Sequence, residues 1–363
     1  MLKNIIKYGE AEVTYKIKKD LSVHPVLYNL FWETTLRCNA KCKHCGSRAG
    51  ENIKVEDELT TEEIKRTFKS IADKYDASQI LINVTGGEPL VREDLFNVMK
   101  YATELGFHWG ITTNGMLITD KIIEKMKETK LSTMSISIDG LEESHDEFRG
   151  IKGSYKKIIQ NIEKLRQAKF LNSFQVTTVV NKLNIEELDK MYEVMKSLEV
   201  DSWRVVNMDP IGRANDNNNL ALDKDDYKHL IDFIKQKRKI SNFDVTYGCA
   251  HFLGMKYEKK VRNNMFFCMA GYTTASILNN GDIFVCPNVE RRKELIQGNV
   301  KNDDFVEIWE NKFKWFRDIN KLKSKKCDKC DDWKYCRGDS LHTWDFEKCE
   351  PKICLNQVLK GGA

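Results

Sequence analysis

The chain has 363 residues, 41% hydrophobic and 31% charged, with Lys+Arg 59 against Asp+Glu 54 and a formal net charge of +5. That length buries a large core and suits one large domain or two. The small positive surplus is spread without a basic block or aromatic–basic interleaving, which argues against nucleic-acid binding, and no run of 18 apolar residues exists, which argues against a membrane-spanning helix.

The start, Met1-Leu2-Lys3-Asn4-Ile5-Ile6-Lys7, lacks the apolar core and small-residue cleavage site of a signal peptide, so a cytoplasmic location is expected. Residues 1–26 read as an N-terminal extension. From residue 27 strands and helices alternate. Leu27–Thr34 is a strand and Thr61–Tyr75 a helix with Glu62 and Glu63 in its first turn. Ile80–Thr85 is a strand, Glu93–Leu105 a helix, Phe107–Thr112 a strand, and Asp120–Lys130 a helix capped by Thr119. Thr133–Ile138, Phe174–Val180 and Ser202–Asn207 are further strands. Tyr155–Ala168, Ile185–Leu198 (with a capping box from Asn184 and Glu187) and Lys224–Lys237 are further helices. Six such units imply parallel strands with helices outside, either an open wound sheet or an incomplete barrel, with ligands at the C-terminal strand ends. Cys38–Cys45, Gly86–Pro89, Thr113-Asn114-Gly115 and Asp139-Gly140 follow the first four strands and therefore share one rim. After about residue 240 the alternation stops, and 241–363 reads as a second module holding eight of the eleven cysteines. An odd cysteine count in a chain of cytosolic appearance points to metal or redox chemistry and away from disulfides.

Cys38, Cys42 and Cys45 are spaced C-x3-C-x2-C. Three thiolates on one loop hold three irons of a [4Fe–4S] cube and leave the fourth open to a non-protein ligand, which makes the cluster a reaction site. The alternative is structural zinc, which needs a fourth ligand. His44 is the nearest, but it directly precedes Cys45 and is poorly placed to chelate the same ion. In Gly86-Gly87-Glu88-Pro89 the glycines let backbone approach a ligand closely, and Glu88 or a carbonyl can accept from an ammonium group.

With these residues in this order, the chain resembles the radical S-adenosylmethionine superfamily. The resemblance implies a partial (β/α)6 TIM-like barrel over 27–240. It implies S-adenosylmethionine on the open iron, reductively cleaved to a 5′-deoxyadenosyl radical that abstracts hydrogen from substrate. Cys38, Cys42 and Cys45 would be the cluster ligands. His44 stands where the family usually has an aromatic residue near the adenine, and Gly86, Gly87, Glu88 and Pro89 form the family's glycine-rich turn. Ser135-Ile136-Ser137-Ile138-Asp139-Gly140, His145-Asp146 and Arg149 resemble a run found in the peptide-modifying subgroup, where Ser137 and Arg149 would meet the carboxylate end of the cosubstrate. Asn114 and Asn181 are placed for ribose or substrate contact, or for turn and cap roles.

Cys268, Gly281-x4-Cys286, Cys327-x2-Cys330-x5-Cys336, Cys349 and Cys354 resemble the SPASM extension, which holds two auxiliary [4Fe–4S] clusters. In isolation the Cys327–Cys336 fragment reads as a zinc ribbon. The family's cysteine four residues after Cys336 is Ser340 here, while Cys249 and Cys349 are additional. The expected partition is Cys327, Cys330, Cys336 and Cys354 on one cube, and Cys249, Cys268, Cys286 and Cys349 on the other. Alternatively Cys249 or Cys349 is free, leaving an open iron or a hydrogen-donating thiol. The resemblance implies modification of a ribosomally made peptide by crosslinking (thioether or carbon–carbon) or epimerisation. A reductant such as a flavodoxin or ferredoxin would supply the electron. Residues 1–37 are too few for the winged leader-binding domain of some relatives, so a separate leader-recognition protein is one expected partner. Pro287 follows Cys286 where the sulfatase-maturing branch has an aspartate base, which argues against that reaction. The alternatives are oxidation of a small alcohol or sugar, and a non-catalytic zinc or iron–sulfur binding protein.

Overall fold

A computed structural model describes residues 2–54, 57–248 and 251–361, with side chains from residue 9 onward; Cys249 lies outside the described residues. The first strand, β1 (Asn29–Glu33), sits near the middle of a ten-stranded sheet. To one side follow β2 (Leu81–Thr85), β3 (His108–Thr113), β4 (Thr133–Ser137), β5 (Ser173–Val180), β6 (Ser202–Asn207) and β7 (Asp244–Tyr247), each parallel to its predecessor. On the other side β8 (Thr274–Ile277) pairs parallel with β1, and β9 (Asp282–Phe284) and β10 (Gly298–Asn299) continue antiparallel. The parallel alternation thus runs one strand beyond residue 240, and strands of the cysteine-rich segment extend the barrel sheet.

Local chemistry explains the helices. An N-terminal helix, α1 (Leu2–Val23), packs on the cysteine-rich segment: Tyr335 Oη donates to Glu12 Oε1 at 2.7 Å and Arg337 to Tyr15 Oη at 2.9 Å. Helix α2 (Thr61–Lys74) starts with a Thr60/Glu63 capping box and buries Ile64, Phe68 and Ile71, a helical stripe. Helices α3 (Leu95–Glu104), α4 (Asp120–Glu128), α5 (Glu142–Arg149) and α6 (Ser154–Ala168) follow. Thr119 caps α4 as expected. The Asn184/Glu187 box does not form. A short 3-10 turn, Ile185–Glu187, precedes α7 (Leu188–Ser197). Asn184 Nδ2 instead donates to the carbonyls of Asp139 and Val179, while the Glu187 carboxylate accepts from Leu141 N and Ser144 Oγ. Both side chains are drawn across to the end of β4, where unpaired backbone groups need partners. Helix α8 (Lys224–Ile240) opens with an Asp223/Asp226 box.

β5 and β6 alternate between buried and half-buried residues. Phe174, Val176, Trp203 and Val205 join the core beneath the helices, while Val179 and Val206 line an interior cleft. One face of the sheet therefore makes the core and the other surrounds the site. Among the described residues no helix is long and apolar enough to cross a membrane.

Candidate active site

The C-terminal strand ends converge on one cleft of about 330 Å³. Cys38, Cys42 and Cys45 line it, as do Gly86 and Gly87 after β2, Asn114 after β3, Ser137 of β4, and Arg149 of α5. The cysteine loop is held by its neighbours. Lys41 N and Lys43 N donate to the carbonyls of Arg149 and Phe148, Cys38 N donates to Gly50 O, and Arg213 Nε donates to Cys42 O at 2.7 Å. Glycine is required twice. A Cβ on Gly87 would lie 2.2 Å from Arg37 O, and one on Gly212, at φ +59°, would lie 2.4 Å from Cys45 O. Both positions let backbone press against the cysteine loop.

Burial pushes the Cys38 thiol up to about 12 and raises Cys42, with Arg149 opposing the rise at Cys42. Arg149 is committed to Asp139 Oδ2 at 2.5 Å and approaches Cys42 Sγ at 3.6 Å, leaving Nε without a partner. Arg213 Nη2 is likewise buried and unpartnered. Two cationic donors aimed into a cleft with three thiols fit a negatively charged cluster and a carboxylate-bearing cosubstrate.

The remaining sequence-predicted residues are placed as follows. His44 lines the cleft and stacks on Phe148, with ring centroids 4.4 Å apart; burial holds its imidazole well below the usual value. Glu88 is fully buried, and its carboxylate accepts from Thr113 Oγ1, Asn114 N and Leu90 N. It ties β2 to β3, while the cleft is met by Gly86 and Gly87. Pro89 is buried and opens a short 3-10 turn. Asn114 donates to Asn39 Oδ1 at 2.7 Å. Asn181 serves a turn, accepting from Leu183 N and donating to Val179 O.

In the C-terminal segment Cys327, Cys330, Cys336 and Cys354 line a single small cavity, as one cube's ligands would. Arg337, Gly338 and Asp339 have φ of 57°, 90° and 72°. Burial, then the Asp339 carboxylate, raise the Cys336 thiol well above its ordinary value, and the Gly338 and Asp339 N–H groups, turned onto Cys336 Sγ by this left-handed run, oppose that rise. Cys268 packs with Cys336 against the Phe252–Met265 cluster, Cys286 is half-buried, and Cys349 is exposed with its thiol toward Phe346 O. With Cys249 outside the described residues, the second set of four is not seen assembled. The ten described cysteines form no disulfide with one another.

Three residues absent from the sequence reading reach this region. Glu33, ending β1, lines the cleft and pairs with Arg291. Asp209, two residues past β6, accepts from Asn207 Nδ2 and His251 Nε2, each at 2.8 Å, and its Oδ2 lies 3.2 Å from His342 Nε2. Burial opposes charge on His251, but Asp209 and Asp339 outweigh it and lift its pKa to about 10. Asp209 carried one legible signal, its position on the rim shared by the other motifs. His342 carried none, since it is remote in sequence.

A thiol-lined cleft at the C-terminal rim of a partial parallel barrel, beside a four-cysteine module, defines an enzyme that works through iron–sulfur clusters. Residues 32–195 match the model of the radical SAM superfamily, and residues 268–331 that of an iron–sulfur cluster-binding domain, SPASM. The chain belongs to the radical S-adenosylmethionine superfamily and carries its SPASM extension. It is 32% identical over 324 residues to the AdoMet-dependent heme synthase of Methanosarcina barkeri, covering 85% of this chain and 89% of that one. It is 29% identical over 320 residues to the mycofactocin maturase MftC of Mycolicibacterium smegmatis, covering 86% and 77%. Among solved structures, anSMEcpe with bound AdoMet and a peptide superposes with a TM-score of 0.73 at 20% identity, covering 93% and 95%. The family brings [4Fe–4S] clusters and S-adenosylmethionine.

Proposed function

We propose that this protein modifies a ribosomally made peptide by a radical reaction, an oxidative crosslink being the expected outcome and the redox-neutral inversion of a stereocentre the alternative. The relationship to a mycofactocin maturase, 29% identical over 320 residues, carries this reading. The cleft of about 330 Å³ lies within the range of ligand pockets. When bound, the cluster and cosubstrate supply a carbon-centred radical able to take hydrogen from an unactivated carbon. The protein supplies the remainder. Cys38, Cys42 and Cys45 hold three irons, Arg149 and Arg213 present cationic donors to the anionic end of the cosubstrate, and Ser137 and Asn114 offer polar contacts. His44 on Phe148 forms one wall, and Gly86 and Gly87 offer close backbone. Cys327, Cys330, Cys336 and Cys354 hold an auxiliary cluster able to accept an electron. A flavodoxin or ferredoxin as electron donor, a separate leader-recognition protein and a cytoplasmic location belong to this reading.

A second reading, oxidation of an iron porphyrin, is favoured by the 32% identity to a heme synthase. Anaerobic reconstituted protein, reduced and given S-adenosylmethionine, is to be offered candidate peptides, iron coproporphyrin and small alcohols. Mass loss in a peptide, coupled to 5′-deoxyadenosine, is the expected result. Turnover of the porphyrin or the alcohols alone overturns the peptide reading.

A further inference from the structure

We propose that His342, oriented by Asp209, is the catalytic base that takes the proton released when the substrate is oxidised. This rests on the oxidative reading above, whichever substrate class it concerns. His342 lies in a 3-10 turn of the cysteine-rich segment, yet its ring lines the cleft formed by the barrel. Its Nε2 meets Asp209 Oδ2 at 3.2 Å. Asp209 Oδ1 is occupied by Asn207 and His251, so Oδ2 is the oxygen left for His342. With the proton of the neutral ring on Nε2, the nitrogen nearest that oxygen, Nδ1 is the acceptor nitrogen, and no described residue bonds to it. This is the arrangement of an orienting carboxylate behind a general base.

Among the other proton acceptors of the cleft, the thiols are assigned to the cluster and Glu33 Oε2 is paired with Arg291; Glu33 Oε1 and His44 Nδ1 are buried without partners, but no described carboxylate pairs with His44, which lies between the cluster cysteines Cys42 and Cys45. Pro287, also on the cleft wall, offers no acceptor side chain. The back of the dyad runs toward the auxiliary site. His251 Nδ1 meets Asp339 Oδ2 at 3.3 Å, and Asp339 lines the cavity of Cys327, Cys330, Cys336 and Cys354. One chain of contacts therefore joins the place where a proton leaves substrate to the place where an electron would arrive.

The step balances as a two-electron oxidation. Hydrogen abstraction by the 5′-deoxyadenosyl radical leaves a carbon radical next to, or within reach of, an X–H group, with X sulfur, oxygen, nitrogen or carbon. A C–X bond forms or gains order, the X–H proton passes to His342 Nδ1, and one electron passes to an oxidised four-iron auxiliary cluster. His342 then returns its proton to solvent through the open cleft.

The test compares His342→Gln, Asp209→Asn and Glu33→Gln in the iron-loaded enzyme, with whichever substrate the wild type turns over. With deuterated substrate, His342→Gln is expected to keep deuterium transfer into 5′-deoxyadenosine within about twofold while product falls about 10²-fold or more. Asp209→Asn is expected to fall less, and imidazole to restore part of the product in His342→Gly. Product unchanged in His342→Gln, parallel loss of 5′-deoxyadenosine and product, or the expected pattern in Glu33→Gln instead overturns the proposal. A substrate-independent arm stands apart from the oxidative reading. His342 is 9% exposed and opens on the cleft, whereas His251 is fully buried, so diethyl pyrocarbonate, mapped by mass spectrometry, should modify His342 and spare His251; an unreactive His342 overturns the assignment.

Discussion

The two thiol sites are built in opposite ways. The Cys38–Cys45 loop is clamped by residues from across the barrel: Arg213 on the Cys42 carbonyl, the α5 carbonyls of Phe148 and Arg149 on the amides of Lys41 and Lys43, and Gly87 against Arg37. Its shape is held by these contacts with barrel elements, around a small cluster of Cys38, Ala40, Cys42 and Ala49. The Cys327–Cys354 site is built of short turns. Its cysteines sit on 3-10 and single-turn segments, with Cys327 N on Ser324 O and Cys330 N on Cys327 O, and its side-chain support comes from Asn356 and Lys360 on Asp332. A site made by the fold can leave one metal position open for chemistry. A site that helps to make the fold uses all its ligands, and its metal contributes folding energy.

This contrast is sharpened first by cysteine removal. Cys42→Ala should abolish 5′-deoxyadenosine formation with the barrel still folded. Cys330→Ala should keep measurable cleavage but lose the modified product. Undiminished cleavage in the Cys42 variant breaks the assignment of the loop. Removal of iron by a chelator comes next. Hydrogen exchange should rise across residues 324–360 while α2, α3 and β1–β6 keep their protection, and equal loss in both regions would erase the distinction.

Two glycines give an intermediate effect. Gly338→Ala puts a Cβ 2.0 Å from Leu322 O at φ +90°, and Gly87→Ala puts one 2.2 Å from Arg37 O. Each should destabilise by about 3 kcal/mol, as strain at a forced backbone position does. The first should lower auxiliary iron content, and the second should weaken S-adenosylmethionine cleavage; the same iron loss in both would contradict the separation.

The smallest effect is a pH slope. Burial first, then Arg149, holds His145 down to about 3, and its Nδ1 accepts from Asp139 N at 3.0 Å. Below about pH 6.5 the unfolded chain binds a proton that the native ring refuses. Stability from this group is therefore full above pH 6.5 and falls toward pH 3, at no more than about 1.4 kcal/mol per pH unit. His145→Asn should flatten the wild-type slope between pH 6.5 and 5 in denaturant titrations; an unchanged slope refutes that burden on His145.

The barrel was legible because its signals are local. Thr60/Glu63 and Thr119 write helix starts into adjacent residues, the strands from Leu81 to Asn207 are short apolar runs, and cluster-loop spacing is a property of eight consecutive residues. Side chains shared between distant segments were not legible. Asn184 and Glu187 fit a capping box on paper, but β4 competed for both. Glu88 or a nearby carbonyl read as an acceptor for an ammonium group, and the sequence did not show that Glu88 also accepts from Thr113 and Asn114. The partition of Cys249, Cys268, Cys286 and Cys349 stays at the level of spacing.

By itself the chain's order of residues determined the alternating architecture, the three-thiol loop and the presence of a second cysteine module, since each follows from periodicity or spacing within a few turns of chain. Only the tertiary structure decided that strands beyond residue 270 continue the barrel sheet, that Arg213 braces a loop some 170 positions earlier, and that Asp209 meets His251 and His342. The reason is that such contacts depend on which strand ends share a rim. Parallel pairing brings together residues whose separation along the chain carries no trace of their proximity.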